Sequence, residues 1–74
     1  MSKLPLLSGE EIMRALEKIG YIIVRQRASH FRLQNSDNPM YPVTIPDYKT
    51  VSRGLLRKIL RDADVSVAEF LELL

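Results

Sequence analysis

Residues 21–34, YIIVRQRASHFRLQ, decide the fold of this chain. The first four are aromatic or β-branched, which is typical of strands, and apolar residues alternate with polar ones again near the end of the stretch. The pattern predicts two antiparallel strands, over residues 21–27 and 29–34, joined by a tight connection near Ala28.

Alternation along these strands predicts which side chains share a face, because successive side chains point to opposite sides of a sheet. The residues expected to point inward are Ile22, Val24, Phe31 and Leu33. The residues expected on the second face are Ile23, Arg25, Arg27, His30, Arg32 and Gln34. Three arginines would therefore surround His30, the only histidine of the chain.

Helices are predicted before and after this hairpin in the sequence. Ser8 and Glu11 form a capping box that opens a helix over residues 9–19, and Ser66 and Glu69 form another that opens a short final helix. A middle helix lies between them. The apolar positions at helical spacing are Ile12, Ala15, Leu16 and Ile19, then Leu55, Leu56, Ile59, Leu60 and Ala63, then Val67, Phe70, Leu71 and Leu74.

A third strand is predicted after the hairpin. The turn-forming residues 35–39 lead into a strand over residues 41–45, and Pro42 and Pro46 mark it as an edge strand or as a strand with a ragged end. The resulting order is α-β-β-β-α-α. We therefore expect one α+β domain over residues 1–74, with a three-stranded antiparallel sheet and helices packed on one of its faces.

Composition restricts the classes of protein. The chain has 74 residues and no cysteine, so disulfides and thiolate zinc sites are excluded, and the composition fits a reducing cytoplasm. No apolar run approaches the roughly 18 residues of a spanning helix, and residues 1–7 are too short an apolar stretch for a signal peptide. We expect a cytoplasmic protein that does not associate with a membrane.

Positive charge is concentrated in the middle of the chain. Residues 21–61 carry eight basic residues against two acidic ones, a net charge of +6, while the remaining segments carry −4. Arg53, Arg57 and Arg61 recur at intervals of four on the predicted middle helix, where like charges repel one another. This pattern predicts a polyanionic or acidic partner, and a solvated basic face without a partner is the alternative.

The surroundings of His30 suggest phosphate chemistry. Histidine can accept and donate a proton near neutral pH, and arginine binds phosphate. The arrangement fits either metal-free cleavage of a phosphodiester or a plain nucleic-acid-binding strand. One histidine with scattered aspartates forms no recognisable metal site, and the isolated glycines form no phosphate loop. Ser29 is a poor nucleophile candidate because its neighbour His30 would point to the other face.

These motifs resemble those of the HicA family of bacterial and archaeal toxin ribonucleases. The most specific element is the Ser29-His30 pair after a basic strand that contains Gln26. The supporting segments are SGEE at 8–11, LEKIGY at 16–21, VTIP at 43–46 and RGLLRKIL at 53–60. The resemblance extends over nearly the whole chain.

The resemblance implies a compact fold like that of the double-stranded-RNA-binding domain. It also implies a metal-independent messenger-RNA interferase that uses no cofactor and in which His30 is catalytic. A HicB-type antitoxin would inhibit it by covering the active site. Two alternatives stay open: a non-catalytic RNA-binding module with the same fold, and a purely structural interaction domain.

Two positions depart from the family pattern. Ala28 stands where the family usually has glycine, so the turn is either adjusted or did not need glycine. Tyr48 stands where many members have a histidine, in Pro-x-His. Either Tyr48 replaces that histidine by stacking on a base, or the activity is weaker.

The implied chemistry assigns roles to the basic residues. A ribose 2′-hydroxyl attacks its own phosphate, with His30 as base on that hydroxyl or as acid on the leaving 5′-oxygen. Water, Tyr48 or Lys49 would supply the second proton transfer. The residues expected to bind RNA are Arg25, Arg27, Ser29, Arg32, Tyr48, Lys49, Arg53, Arg57, Lys58 and Arg61.

Overall fold

The computed structural model describes residues 3–74. The expectation that residues 1–7 are not a signal peptide includes Met1 and Ser2, which lie outside the described residues. The elements are α1 (Gly9–Glu17), β1 (Tyr21–Arg27), β2 (His30–Asn35), β3 (Asn38–Pro46), α2 (Arg53–Asp62) and α3 (Val67–Leu71). The strands form one antiparallel sheet with β2 in its centre. The predicted α+β fold and its order of elements are confirmed.

The helices cover one face of the sheet, and the core lies between them. On β2, Phe31 and Leu33 are buried, whereas His30, Arg32 and Gln34 are exposed, as the alternation predicts. We call the two sides the covered face and the open face. The largest fully buried side chains are Phe70, Leu4, Ile12, Leu16, Leu33, Ile45, Leu56, Leu60, Val43 and Val51.

Helix α1 begins where predicted and ends earlier. The Ser8 hydroxyl accepts from the Glu11 amide at 3.1 Å, and the Glu11 carboxylate accepts from the Ser8 amide at 2.9 Å. The amides of residues 18–20 bond three positions back, which tightens the last turn into a 3₁₀ pattern. Ile19 lies beyond the end of α1 and is 37% exposed, so the expectation that it belongs to the helix and to its apolar positions was wrong.

Helix α3 has the predicted capping box. The Ser66 hydroxyl accepts from the Glu69 amide at 3.0 Å, and the Glu69 carboxylate accepts from the Ser66 amide at 3.1 Å. Phe70 is fully buried. Leu74 lies beyond the end of the helix and is 53% exposed, so its expected place on the packed face was wrong.

The strand bounds differ slightly from those expected. β2 begins at His30 because Ser29 belongs to the turn. β3 covers residues 38–46 and not only 41–45, because the turn that precedes it needs only residues 36–37. β3 is an edge strand, which is where its prolines can be tolerated.

A β-bulge interrupts β1 at Val24. Ile23 pairs with Leu33, and the next pair is Arg25 with Arg32, so Val24 is an extra residue in β1. A bulge of this kind shifts the alternation of side chains by one position.

The bulge overturns the predicted faces of the first half of β1. Ile22 and Val24 are 55% and 51% exposed, so the expectation that they point inward was wrong. Ile23 lies opposite the buried Leu33, so the expectation that it shares the face of His30 was also wrong. Tyr21, before the bulge, is buried against the core. Arg25 and Arg27, after it, lie on the open face opposite Arg32 and His30.

No helix within residues 3–74 is long and apolar enough to cross a bilayer.

Candidate functional site

The open face contains a concavity of about 590 Å³. Its lining comes from all three strands and consists of Val24, Arg25, Arg27, His30, Arg32 and Thr44. The structure therefore brings His30 together with the three arginines that the sequence placed near it.

Cross-strand pairing explains this convergence. Arg27 lies directly opposite His30, and Arg25 lies directly opposite Arg32. Like charges facing each other across a sheet destabilise the pairing. The fold retains this unfavourable arrangement on its open face, where an anion could neutralise the charge.

Arg32 is held in place by the third strand. Its Nη1 donates to the Oγ1 of Thr44, its cross-strand partner, at 2.9 Å. Sequence reasoning missed Thr44 as a site residue. The signal was available, because Thr44 lies between the buried residues Val43 and Ile45 and must therefore point to the open face.

The concavity is strongly cationic. Within residues 3–74, the ion pairs are Arg14 with Glu10 at 2.7 Å and Lys58 with Asp62 at 3.0 Å, both on helices. In this part of the chain, the guanidinium groups that line the concavity have no carboxylate partner. Their charge is available to a phosphate group.

The β1–β2 turn sets the position of His30. Ala28 adopts a left-handed φ of 51°, which is the conformation that glycine favours. The turn therefore has this left-handed geometry with alanine, and not glycine, at position 28. The Ser29 carbonyl accepts from the Asp47 amide, which ties the turn to the end of β3. The Ser29 side chain does not line the concavity.

Tyr48 and Lys49 follow β3 and lie outside the concavity. Tyr48 is 48% exposed, and its carbonyl accepts from the Gly9 amide at 2.9 Å. A side chain at Gly9 would collide with the Pro46 carbonyl, so α1 packs closely on this segment. The geometry does not bring either Tyr48 or Lys49 into the lining around His30.

The basic residues of α2 lie on the other side of the sheet. Arg53 is partly buried, and its Nε donates to the Leu4 carbonyl at 2.6 Å, which joins the start of α2 to the N-terminal segment. Lys58 is engaged with Asp62. Arg57 and Arg61 are exposed. Because α2 packs on the covered face, these residues are not part of the site around His30.

Among the side chains of residues 3–74, no three His, Cys, Asp or Glu come together as a group that could hold a metal ion. The chemical groups that line the concavity are one imidazole, three guanidiniums and one hydroxyl, with Val24 as the apolar member.

The comparison with protein families identifies one match. The model of the family described as HicA toxin of bacterial toxin-antitoxin matches residues 9–65. The matched span contains the whole sheet and therefore the concavity. The comparison with curated proteins gave no match.

Proposed function

The chain belongs to the HicA toxin family, and on this premise we propose that it cleaves messenger RNA without a metal ion, using His30 as the general acid/base. The observation that carries the proposal is the convergence of His30, Arg25, Arg27 and Arg32 in one open concavity. Family membership also implies an antitoxin partner.

The arginines would bind and activate the phosphodiester. Guanidinium groups stay protonated throughout the working pH range, so they neutralise charge without taking part in proton transfer. Arg32 is oriented by Thr44, which reduces the entropy lost when it binds a phosphate oxygen. As negative charge builds up on the phosphorus centre, these donors stabilise the transition state.

His30 would move one proton of the reaction. The ribose 2′-hydroxyl attacks the adjacent phosphorus, the bond to the 5′-oxygen breaks, and a 2′,3′-cyclic phosphate forms. His30 accepts the proton of the 2′-hydroxyl or donates one to the 5′-oxygen. Because the described residues that line the concavity include no second imidazole, carboxylate or amine, we infer that water carries the other transfer.

The antitoxin in this proposal is of the HicB type and covers His30. An inhibitor that buries Arg25, Arg27 and Arg32 must supply acidic groups, because an unpaired buried charge costs several kcal/mol. On this proposal the protein acts in the cytoplasm, where it meets messenger RNA and the antitoxin. Antitoxin affinity that is unchanged in the Arg25/Arg27/Arg32 triple alanine variant would contradict inhibition at this surface.

The test is cleavage of RNA by the wild type, by His30→Ala and by Gln26→Ala, all in the presence of a chelator. Gln26 is the matched control, because it is exposed on the neighbouring strand but pairs with Phe31 on the other face. His30→Ala should lose about 10²- to 10⁴-fold in rate with an unchanged melting curve. Gln26→Ala should cleave normally. A 2′-deoxy substitution at the scissile ribose should block cleavage by the wild type.

Three results would redirect the proposal. Unchanged cleavage by His30→Ala would remove His30 from the reaction. Loss of wild-type cleavage in chelator would indicate a metal. RNA binding without any cleavage, and no growth arrest on expression, would favour the non-catalytic RNA-binding module.

A further inference from the structure

We propose that Ile22, Val24 and Gln34 form a subsite for an unpaired nucleobase next to the phosphate that occupies the cationic concavity. The inference rests on the proposed function. It concerns the base of the RNA, whereas the arginines bind the phosphate.

The subsite continues the concavity along the open face. Val24 lines the concavity beside Arg25. Ile22 lies directly opposite Gln34, and this is the next pair on the open face beyond the pair of Arg25 with Arg32. Ile22 and Val24 are about half exposed, at 55% and 51%, so an apolar surface adjoins the guanidinium groups.

Among the described residues next to the other borders, apolar surface is scarcer; Met40 is exposed further along β3, but it does not line the concavity. Beyond the pair of Arg27 with His30, the sheet ends in its two-residue turn. Towards β3, the Arg32 guanidinium is bonded to Thr44, and Pro46 is buried. A base attached to a phosphate in the concavity therefore has its apolar contact in the direction of Val24 and Ile22.

The chemistry of the three side chains fits a base. The flat surface of a base gains from apolar contact, and its edge carries both donors and acceptors. The Gln34 amide also has both, so it can pair with that edge. A base inside a duplex is stacked and paired and cannot lie on this surface. The subsite therefore selects single-stranded RNA.

The β-bulge at Val24 creates the subsite. If the pairing continued regularly from Arg25 and Arg32, Val24 would lie opposite Leu33, and Ile22 would lie on the covered face. With the bulge, Ile22 lies on the open face while Tyr21 still reaches the core. Bulges beside active sites commonly redirect a side chain in this way.

The experiment measures binding of a single-stranded RNA hexanucleotide whose 2′-positions are all methylated, which prevents cleavage. Ile22→Ala is compared with Ile23→Ala, and Gln34→Ala with Gln26→Ala, by fluorescence anisotropy. Each pair changes the same residue type, exposed in the same sheet, on opposite faces. Ile22→Ala and Gln34→Ala should each weaken binding about three- to tenfold, and their controls less than twofold.

A second oligonucleotide series replaces one base at a time with an abasic unit, which keeps every phosphate. At the position that occupies the subsite, removing the base should weaken wild-type binding and abolish the effect of Ile22→Ala. An equal effect of Ile22→Ala on every abasic oligonucleotide would overturn the subsite.

Other outcomes separate this inference from the proposed function. If the wild type cleaves RNA while Ile22→Ala and Gln34→Ala bind like the wild type, only the subsite is wrong. If the wild type binds no RNA at low salt, the proposed function itself fails. If both isoleucine variants weaken antitoxin binding without changing RNA affinity, the edge of β1 serves the protein partner and the subsite is overturned.

Discussion

On β2, alternate side chains have opposite physical chemistry. His30, Arg32 and Gln34 are polar and exposed, whereas Phe31 and Leu33 are apolar and buried. The open face concentrates charge that opposes folding, and the covered face supplies the burial that drives it. The difference shows how so small a domain can carry a cationic site. One strand places the residues of the site and the residues of the core on opposite sides of the same backbone.

The largest expected effect tests this division on neighbouring residues. Leu33→Ala removes a fully buried side chain and should lower the free energy of unfolding by about 2–5 kcal/mol. Gln34→Ala, on the open face, should change it by less than about 0.5 kcal/mol. Urea denaturation of both variants gives the comparison. Equal losses would mean that the open face also contributes to stability.

The second prediction concerns the two basic surfaces. Replacing Arg25, Arg27 and Arg32 with alanine should weaken RNA binding and reduce the slope of log K against log salt by about 2, since each phosphate contact on a single strand contributes about 0.7. Arg57→Ala with Arg61→Ala should reduce the slope less, because these residues lie across the sheet from His30. An equal reduction per arginine would show that RNA extends over both surfaces.

Local signals in the sequence were sufficient for much of this fold. The capping boxes at Ser8 and Ser66 involve residues three positions apart, so the sequence contains both partners of each interaction. The alternation on β2 was equally clear, because polar and apolar residues alternate at every position from His30 to Gln34. The grouping of His30 with the arginines followed from that alternation and from the short turn.

Features that depend on distant residues could not be predicted. The run Ile22, Ile23 and Val24 is apolar throughout, so no contrast between neighbours marks the bulge. Arg53 looked like one of three equivalent helix arginines, and its bond to the Leu4 carbonyl joins residues 49 positions apart. The bulge and the bond of Arg53 depend on packing between elements, which leaves no periodic pattern in the sequence.

The third prediction tests the covered face at Tyr21, just before the bulge. Its hydroxyl donates to the Tyr41 carbonyl at 2.7 Å. Tyr21→Phe should lower the free energy of unfolding by about 1 kcal/mol at pH 7.

The loss in the free energy of unfolding caused by Tyr21→Phe should become smaller at alkaline pH. Burial, and then the negative charge of Asp64, raise the pKa of Tyr21 above its ordinary value of 10.0. Its stabilising contribution is complete below that value and is lost as the pH rises through the folded-state pKa, because the unfolded chain releases the proton first. Urea denaturation between pH 8 and pH 11 should show the difference between wild type and variant narrowing. A constant difference would mean that the hydroxyl stays solvated in the folded state.

The smallest effect is expected at Ala28, in the turn between the strands and outside both faces. Its φ of 51° is strained for alanine, so Ala28→Gly should raise the free energy of unfolding by about 0.5–1 kcal/mol, after the greater freedom of glycine in the unfolded chain is subtracted. Asp64 has a similar φ of 57°, but aspartate tolerates this conformation better than alanine does. Asp64→Gly should therefore raise the free energy of unfolding by less than Ala28→Gly. Thermal melts of the two variants test this order. If Ala28→Gly instead lowers stability, the turn depends on a contact of the alanine methyl group and not on backbone conformation alone.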